Sequence, residues 1–226
     1  MLRGLMITLS LLLPIAAIAQ PMSPSMPREG TDYEILQAQQ PTYTNPKGKI
    51  EVVEVFSYAC PHCAHFQSFI SAWKKKLPAD VTFNYVPSVG QGSWERFAHG
   101  FYAAEAKKIQ ARTHEALFNA IFVEQKLSPN ASMDEIANFY AGFGVDKKAF
   151  LDLMISKQVN DNAEKSKQFT MRTGAFSTPT VIIAGKYRLN ATQDRGFEGM
   201  IKTMDFIIAK ERASIKNAKQ KTGVSK

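Results

Sequence analysis

Both cysteines of the chain, Cys60 and Cys63, stand at one junction between two kinds of apolar pattern. Before them, Ile50–Phe56 (IEVVEVF) is rich in β-branched residues and reads as a strand. After them, Phe66, Phe69, Ile70, Trp73 and Leu77 recur at steps of three and four, which marks one face of a helix. Pro61 suits the first helical position, where its missing N–H would be unpaired anyway, so Cys60 becomes the N-cap residue. The Cys60 sulfur then faces the free N–H groups and positive end of the helix, and both favour the thiolate. Lys74, Lys75 and Lys76 fall in the last turn, where positive charge suits the other end of the dipole.

Cys63 lies one turn along the same face, within reach of a disulfide to Cys60. A protonated His62 between them would stabilise the thiolate further. A stabilised thiolate stabilises the reduced form, which makes the disulfide easy to reduce and hence oxidising. Three other readings compete. Half a zinc site would need two further ligands, and only His62 and His65 are near. A purely structural disulfide over so short a loop removes little entropy from the unfolded chain. Inert buried thiols fit poorly with a Pro and a His at a helix start. Glu54 is the odd residue of the strand: either an outward residue on an alternating pattern, or a half-buried carboxylate.

Cys60-Pro61-His62-Cys63, preceded by EVFSYA and followed by AHF, closely resembles the active site of the DsbA family. These are periplasmic thiol:disulfide oxidoreductases of Gram-negative bacteria, built on a thioredoxin fold. The resemblance spans about Asp32 to Ala209 in element order, with its strongest motifs at Glu54–Phe66 and Thr178-Pro179. It implies an α/β chain: a thioredoxin fold with an inserted all-helical domain. It implies catalytic roles for Cys60, Pro61, His62 and Cys63, and a proton-relay role for Glu54 beneath them. It implies a cis bond before Pro179, with Thr178 beside Cys60, both holding a substrate strand; aromatic surface near Phe66 is expected to add apolar contact. In the family a lysine on the next strand accompanies the acid. Here that strand, Val81–Val86, offers Asn84 and Tyr85 instead, so the proton route departs from the family pattern.

Taken in order, residues 1–19 read as a signal peptide: Arg3, an apolar run over Leu5–Ala17, and Ala17-Ile18-Ala19 for cleavage. Residues 20–31 read as a flexible, Pro/Ser-rich leader. The thioredoxin part occupies 32–92 and 171–211, with strands expected at Tyr33–Leu36, Val81–Val86, Thr180–Ala184 and Lys186–Leu189. Between them, 93–170 is helical throughout. It carries aromatic stripes at core spacing, a capping box at Ser132–Glu135 and a cap at Asp146. His99 and His114, in this block, read as structural or exposed. Phe197, Met200, Ile201, Met204 and Ile208 form a last amphipathic helix, and 212–226 reads as a basic, partly disordered tail.

The net charge is +8, or +7 without Arg3, and much of it lies in the tail. No phosphate loop, RNA-binding signature or internal repeat accompanies it, so nucleic acid is not expected as a partner. The expected activity is donation of the Cys60–Cys63 disulfide to reduced, unfolded exported proteins in the periplasm. No cofactor and no metal is called for, and a monomer is expected. By resemblance, a DsbB-like membrane quinone reductase is the reoxidant. The rival readings are a reductase or isomerase on the same fold and a periplasmic metal carrier using the same cysteines.

Overall fold

The computed structural model describes residues 26–90 and 92–221. The expected signal peptide, residues 20–25 of the leader, and residues 222–226 lie outside the described residues. Five strands form one sheet: β1 (Glu34–Ile35), β2 (Ile50–Phe56), β3 (Val81–Pro87), β4 (Thr180–Ile183) and β5 (Tyr187–Leu189), in the order β1-β5-β4-β2-β3. β2 runs parallel to β3 and antiparallel to β4. The parallel pair needs a crossover, which α1 (Pro61–Lys74) supplies. All seven residues of β2 are buried, because helices cover both faces of the sheet at this central strand.

The strand's period of two sorts its side chains. Val52 faces Phe66 and Ile70 of α1 and Met200 and Met204 of α7 (Gly196–Lys221). Val53 and Val55 face Ile182 and Phe169 on the other side. Glu51 is buried too, because its carboxylate accepts from the N–H of Tyr43 (2.6 Å) and of Thr44 (2.7 Å) and so ties down the loop before β2.

The helical block consists of α2 (Ser93–Ala106), α3 (Gln110–Phe122), α4 (Met133–Ala141), α5 (Lys147–Met154) and α6 (Lys157–Thr173). The capping box at Ser132 and the Asp146 cap are both present. The block joins the sheet through an aromatic cluster: Phe56 and Tyr58 pack against Phe97, Phe101 and Phe118. His114 sits among these rings, 2.7 Å from the Tyr58 hydroxyl through Nδ1, and burial pushes its pKa well down, so it stays neutral. His99 is buried as well.

Two expectations change. The basic tail set at 212–226 is helical as far as Lys221, the last described residue; Lys, Gln, Ala and Arg are all good helix formers, and a charge run does not stop them. Arg212 is held by Asp80 through two hydrogen bonds, 2.6 and 2.8 Å. The described end of the leader is docked: Arg28 bridges Asp32 (3.0 Å) and Asp194 (2.7 Å). Among the described residues no helix is long and apolar enough to cross a membrane.

The chain re-enters the sheet at Gly174, which ends α6 in the left-handed region (φ 64°). Arg188 of β5 donates there to the carbonyls of Thr173 (3.2 Å) and Gly174 (2.9 Å), and a Cβ on Gly174 would lie 2.1 Å from its Nη1. Gly174→Ala is expected to lower stability by about 1–2 kcal/mol, from the left-handed backbone alone. Urea unfolding measures this, and an unchanged midpoint would show that the turn relaxes at no cost.

Candidate active site

Cys60 is the N-cap of α1 with extended backbone (φ −97°, ψ 116°), Pro61 follows at the first helical position, and no side chain caps the helix. The backbone N–H groups of His62 and Cys63 therefore point at the Cys60 sulfur. Both cysteines are free thiols, so this is the reduced form. Cys60 is 6% exposed and Cys63 0%. The Cys63 thiol bonded to the Cys60 sulfur does most to lower the Cys60 pKa; Thr178 and the two N–H groups assist, burial opposes, and the result is about 5. Burial dominates at Cys63 and pushes its pKa far above the ordinary thiol range; the bond to Cys60 and the charges of Glu54 and Cys60 add to this.

The imidazole of His62 is exposed, and what His62 contributes to the Cys60 thiolate is its N–H. Thr178 stands where expected: Cys60 Sγ donates to its carbonyl oxygen at 3.4 Å, and the Thr178–Pro179 bond is cis. Phe66 requires a correction. It is fully buried, with its ring 5.0 Å from that of Phe197, because it lies on the inward stripe of α1; it offers no surface to a substrate. The exposed aromatic ring near the site is instead Phe176, 76% accessible and two residues before Thr178.

Glu54 is buried, 1% exposed, and its Oε2 has no hydrogen-bond partner. The outward reading of this residue is set aside by its register, between Tyr85 of β3 and Val181 of β4 in the middle of the sheet. Burial raises its pKa to about 8; Lys74 opposes the rise and Cys60 adds to it. Asn84, one residue away on β3, bonds Glu51 at 3.2 Å and takes no part. The cation that Glu54 feels is Lys74, whose Nζ lies 4.2 Å from the Tyr85 ring centroid and 4.9 Å from that of Phe83. At the sequence level Lys74 counts only as a helix-end charge. The signal was nonetheless there: Cys63, Gln67, Ile70 and Lys74 follow at steps of four, three and four, one face of a helix.

A thiolate-prone N-cap cysteine beside a cis-proline loop, a buried second cysteine and a buried acid beneath it make a thiol–disulfide exchange site. Comparison with known proteins agrees. A family model described as thioredoxin matches residues 37–203. The thiol:disulfide interchange protein DsbA of Pseudomonas aeruginosa is 37% identical over 195 residues, covering 84% of this chain and 92% of that protein.

The chain belongs to the DsbA family.

DsbA of Azotobacter vinelandii is 37% identical over 196 residues, covering 87% of this chain and 90% of that protein. The crystal structure of the oxidoreductase DsbA from Xylella fastidiosa aligns with a TM-score of 0.79 at 34% identity, covering 84% of this chain and 100% of that one. The fold is therefore thioredoxin-like, as the DsbA resemblance implied, and the activity is that of a protein disulfide oxidoreductase.

The lowered Cys60 pKa has a direct readout. In the reduced protein, ultraviolet thiolate absorbance is expected to rise with a midpoint near pH 5, as the lowered Cys60 pKa requires. Cys63→Ala removes the largest stabilising contact and is expected to move that midpoint upward. A Cys60 that titrates like an ordinary thiol, at about 8.5, would contradict the geometry.

Proposed function

We propose that this DsbA-family chain donates its Cys60–Cys63 disulfide to reduced proteins exported to the periplasm. The carrying observation is the asymmetry of the two sulfurs. Cys60 has the accessible edge and the thiolate-stabilising donors, whereas Cys63 is wholly enclosed. A substrate thiolate attacks the Cys60 sulfur, the S–S bond breaks, and Cys63 leaves with the electron pair. A second substrate thiolate then attacks the substrate sulfur of this mixed disulfide and releases Cys60 as thiolate. Thr178 and Pro179 hold the substrate strand against Cys60, supported by the Cys60–Thr178 contact.

Cys63 cannot remain a thiolate where burial raises its pKa so far, so its departure requires a proton. Glu54, with its pKa near 8, is mostly protonated at neutral pH and serves as the general acid. In reoxidation the same carboxylate takes the proton back, and a DsbB-like membrane quinone reductase removes the electrons.

The direction of electron flow follows from linkage. A folded-state pKa of about 5 at Cys60 lies below the ordinary thiol value. The stabilisation of the reduced form is therefore complete above the ordinary value and is lost as pH falls through 5. At pH 7, two units above that pKa, it is worth about 3 kcal/mol, which is ~60 mV of more oxidising potential for a two-electron couple. Equilibration against glutathione buffers is expected to give a potential well above the roughly −270 mV of thioredoxin. A thioredoxin-like potential would instead indicate a reductase. Cys60→Ser is expected to abolish exchange, and Cys63→Ser to accumulate mixed disulfides with substrate on Cys60; their absence would count against this order of attack.

A further inference from the structure

Glu54 is enclosed, and the mechanism asks it to give up and regain a proton in each cycle. Its surroundings leave few ways in. The groups acting on it are Cys60 and Cys63 at the head of α1, Lys74 at its end and Tyr85 beside it on β3, with His114 of α3 behind the Tyr85 ring at 3.9 Å between centroids. β4 places Val181 next to it. α7 turns Met200 and Met204 to this face of the sheet, and its buried carboxylate, Glu211, is paired with Lys186 at 2.5 Å. The Tyr85 hydroxyl is engaged with Gln67, within 3.3–3.4 Å, and burial raises its pKa, so it stays protonated.

Lys74 and Tyr85 are the two of these groups that also line a polar cleft, and with the Tyr85 hydroxyl engaged by Gln67, Lys74 is the one that can exchange a proton with it. That cleft, about 310 Å³, lies where the β3 edge meets the helical block. Lys74, Tyr85, Asn84, Glu105 and Lys165 line it. A space this size admits water freely. On the other side the Lys74 ammonium is seated over the rings of Tyr85 and Phe83, a cation–π arrangement that fixes its place next to the strand neighbour of Glu54.

We propose that Lys74 is the positioning residue of the proton relay, holding the charge of Glu54 in check and passing its proton to and from the cleft. This deepens the exchange mechanism above and rests on it. When Cys63 leaves as thiolate, Glu54 gives it a proton and becomes a carboxylate. The Lys74 ammonium pairs with that carboxylate and transfers a proton to it, and the resulting amine regains one from water in the cleft. Reoxidation runs the same transfers backward. Burial moves both groups toward their neutral forms, Glu54 upward and Lys74 downward, which brings the proton's two resting places closer in energy.

The test follows the Glu54 side-chain carboxyl by carbon-13 NMR in the oxidised protein, where no cysteine titrates. Lys74→Met is expected to raise the Glu54 midpoint by ~1 pH unit or more, the usual effect of losing a close opposite charge. Lys74→Arg, which keeps the charge, is expected to stay near the parent value. In stopped-flow oxidation of a dithiol peptide, the alkaline limb of the rate profile should move upward with the midpoint, and in a Glu54→Gln background Lys74→Met should add nothing. If Lys74→Met is poorly folded, Lys74→Gln serves in its place. An unmoved Glu54 midpoint, or an equal rate loss with and without Glu54, would overturn the proposal. The potential and the Cys63→Ser trapping do not depend on Lys74, so they report separately on the underlying mechanism.

Discussion

The N-terminus of α1 lacks a side-chain cap, and the redox site depends on that. Three helices are capped in the ordinary way, with Ser132, Asp146 and Ser156 each accepting from an N–H in the first turn of α4, α5 and α6, whereas α2 and α3, which begin after Gly92 and Ile109, have no side-chain cap. At α1 the N-cap is a cysteine, and the sequence forgoes about 1 kcal/mol of capping in the thiol form. The N–H groups of His62 and Cys63 are then free for a sulfur anion, and the thiolate becomes the cap. Pro61 costs nothing here, since the N–H it lacks would have had no helical partner.

Two cysteines in such proximity would share one chemistry if their surroundings were alike. They are not. Desolvation acts against both thiolates, but at Cys60 the donors outweigh it and at Cys63 nothing does. The environments thus push the two pKa values apart, which assigns one sulfur as nucleophile and leaving group to the outside and the other as the internal partner. The buried carboxyl of Glu54 belongs to the same logic. An acid kept near neutral pH by burial can trade protons with a thiol that cannot stay ionised.

This arrangement needs a dry, rigid floor. β2 provides it by lying between β3 and β4 with helices on both faces. The helical block then closes the site from the side: Phe56 and Tyr58, just before the cysteines, are gripped by Phe97, Phe101, His114 and Phe118. The Tyr58–His114 hydrogen bond pairs two polar groups that would be costly to bury alone. The insertion is therefore part of what enforces the burial of Cys63, and through burial its pKa.

Local pattern made much of this legible. Ile50–Phe56 is a strand because of its β-branched run, and α1 begins at Pro61 because that is where a proline costs least. The capping box at Ser132 and the Asp146 cap follow from residues three apart, and the family motif carried the cis-proline loop to Thr178-Pro179. What failed depended on which side of an element faces inward. Phe66 looked available as an aromatic near the cysteines, yet the α1 stripe turns it into the core. Lys74 looked like a helix-end charge, yet the same stripe carries it over Tyr85 to the neighbourhood of Glu54. The run after Ala209 looked like a tail, yet Arg212 finds Asp80, distant in sequence, and the helix continues. The sequence by itself determined the reactive pair, the helix start that activates it and the alternation of strand and helix, because each rests on neighbours within a turn or a strand. Only the tertiary structure decided how deeply Cys63 and Glu54 are buried and which cation reaches them, because desolvation and long-range charge are set by elements that meet only when the chain is folded.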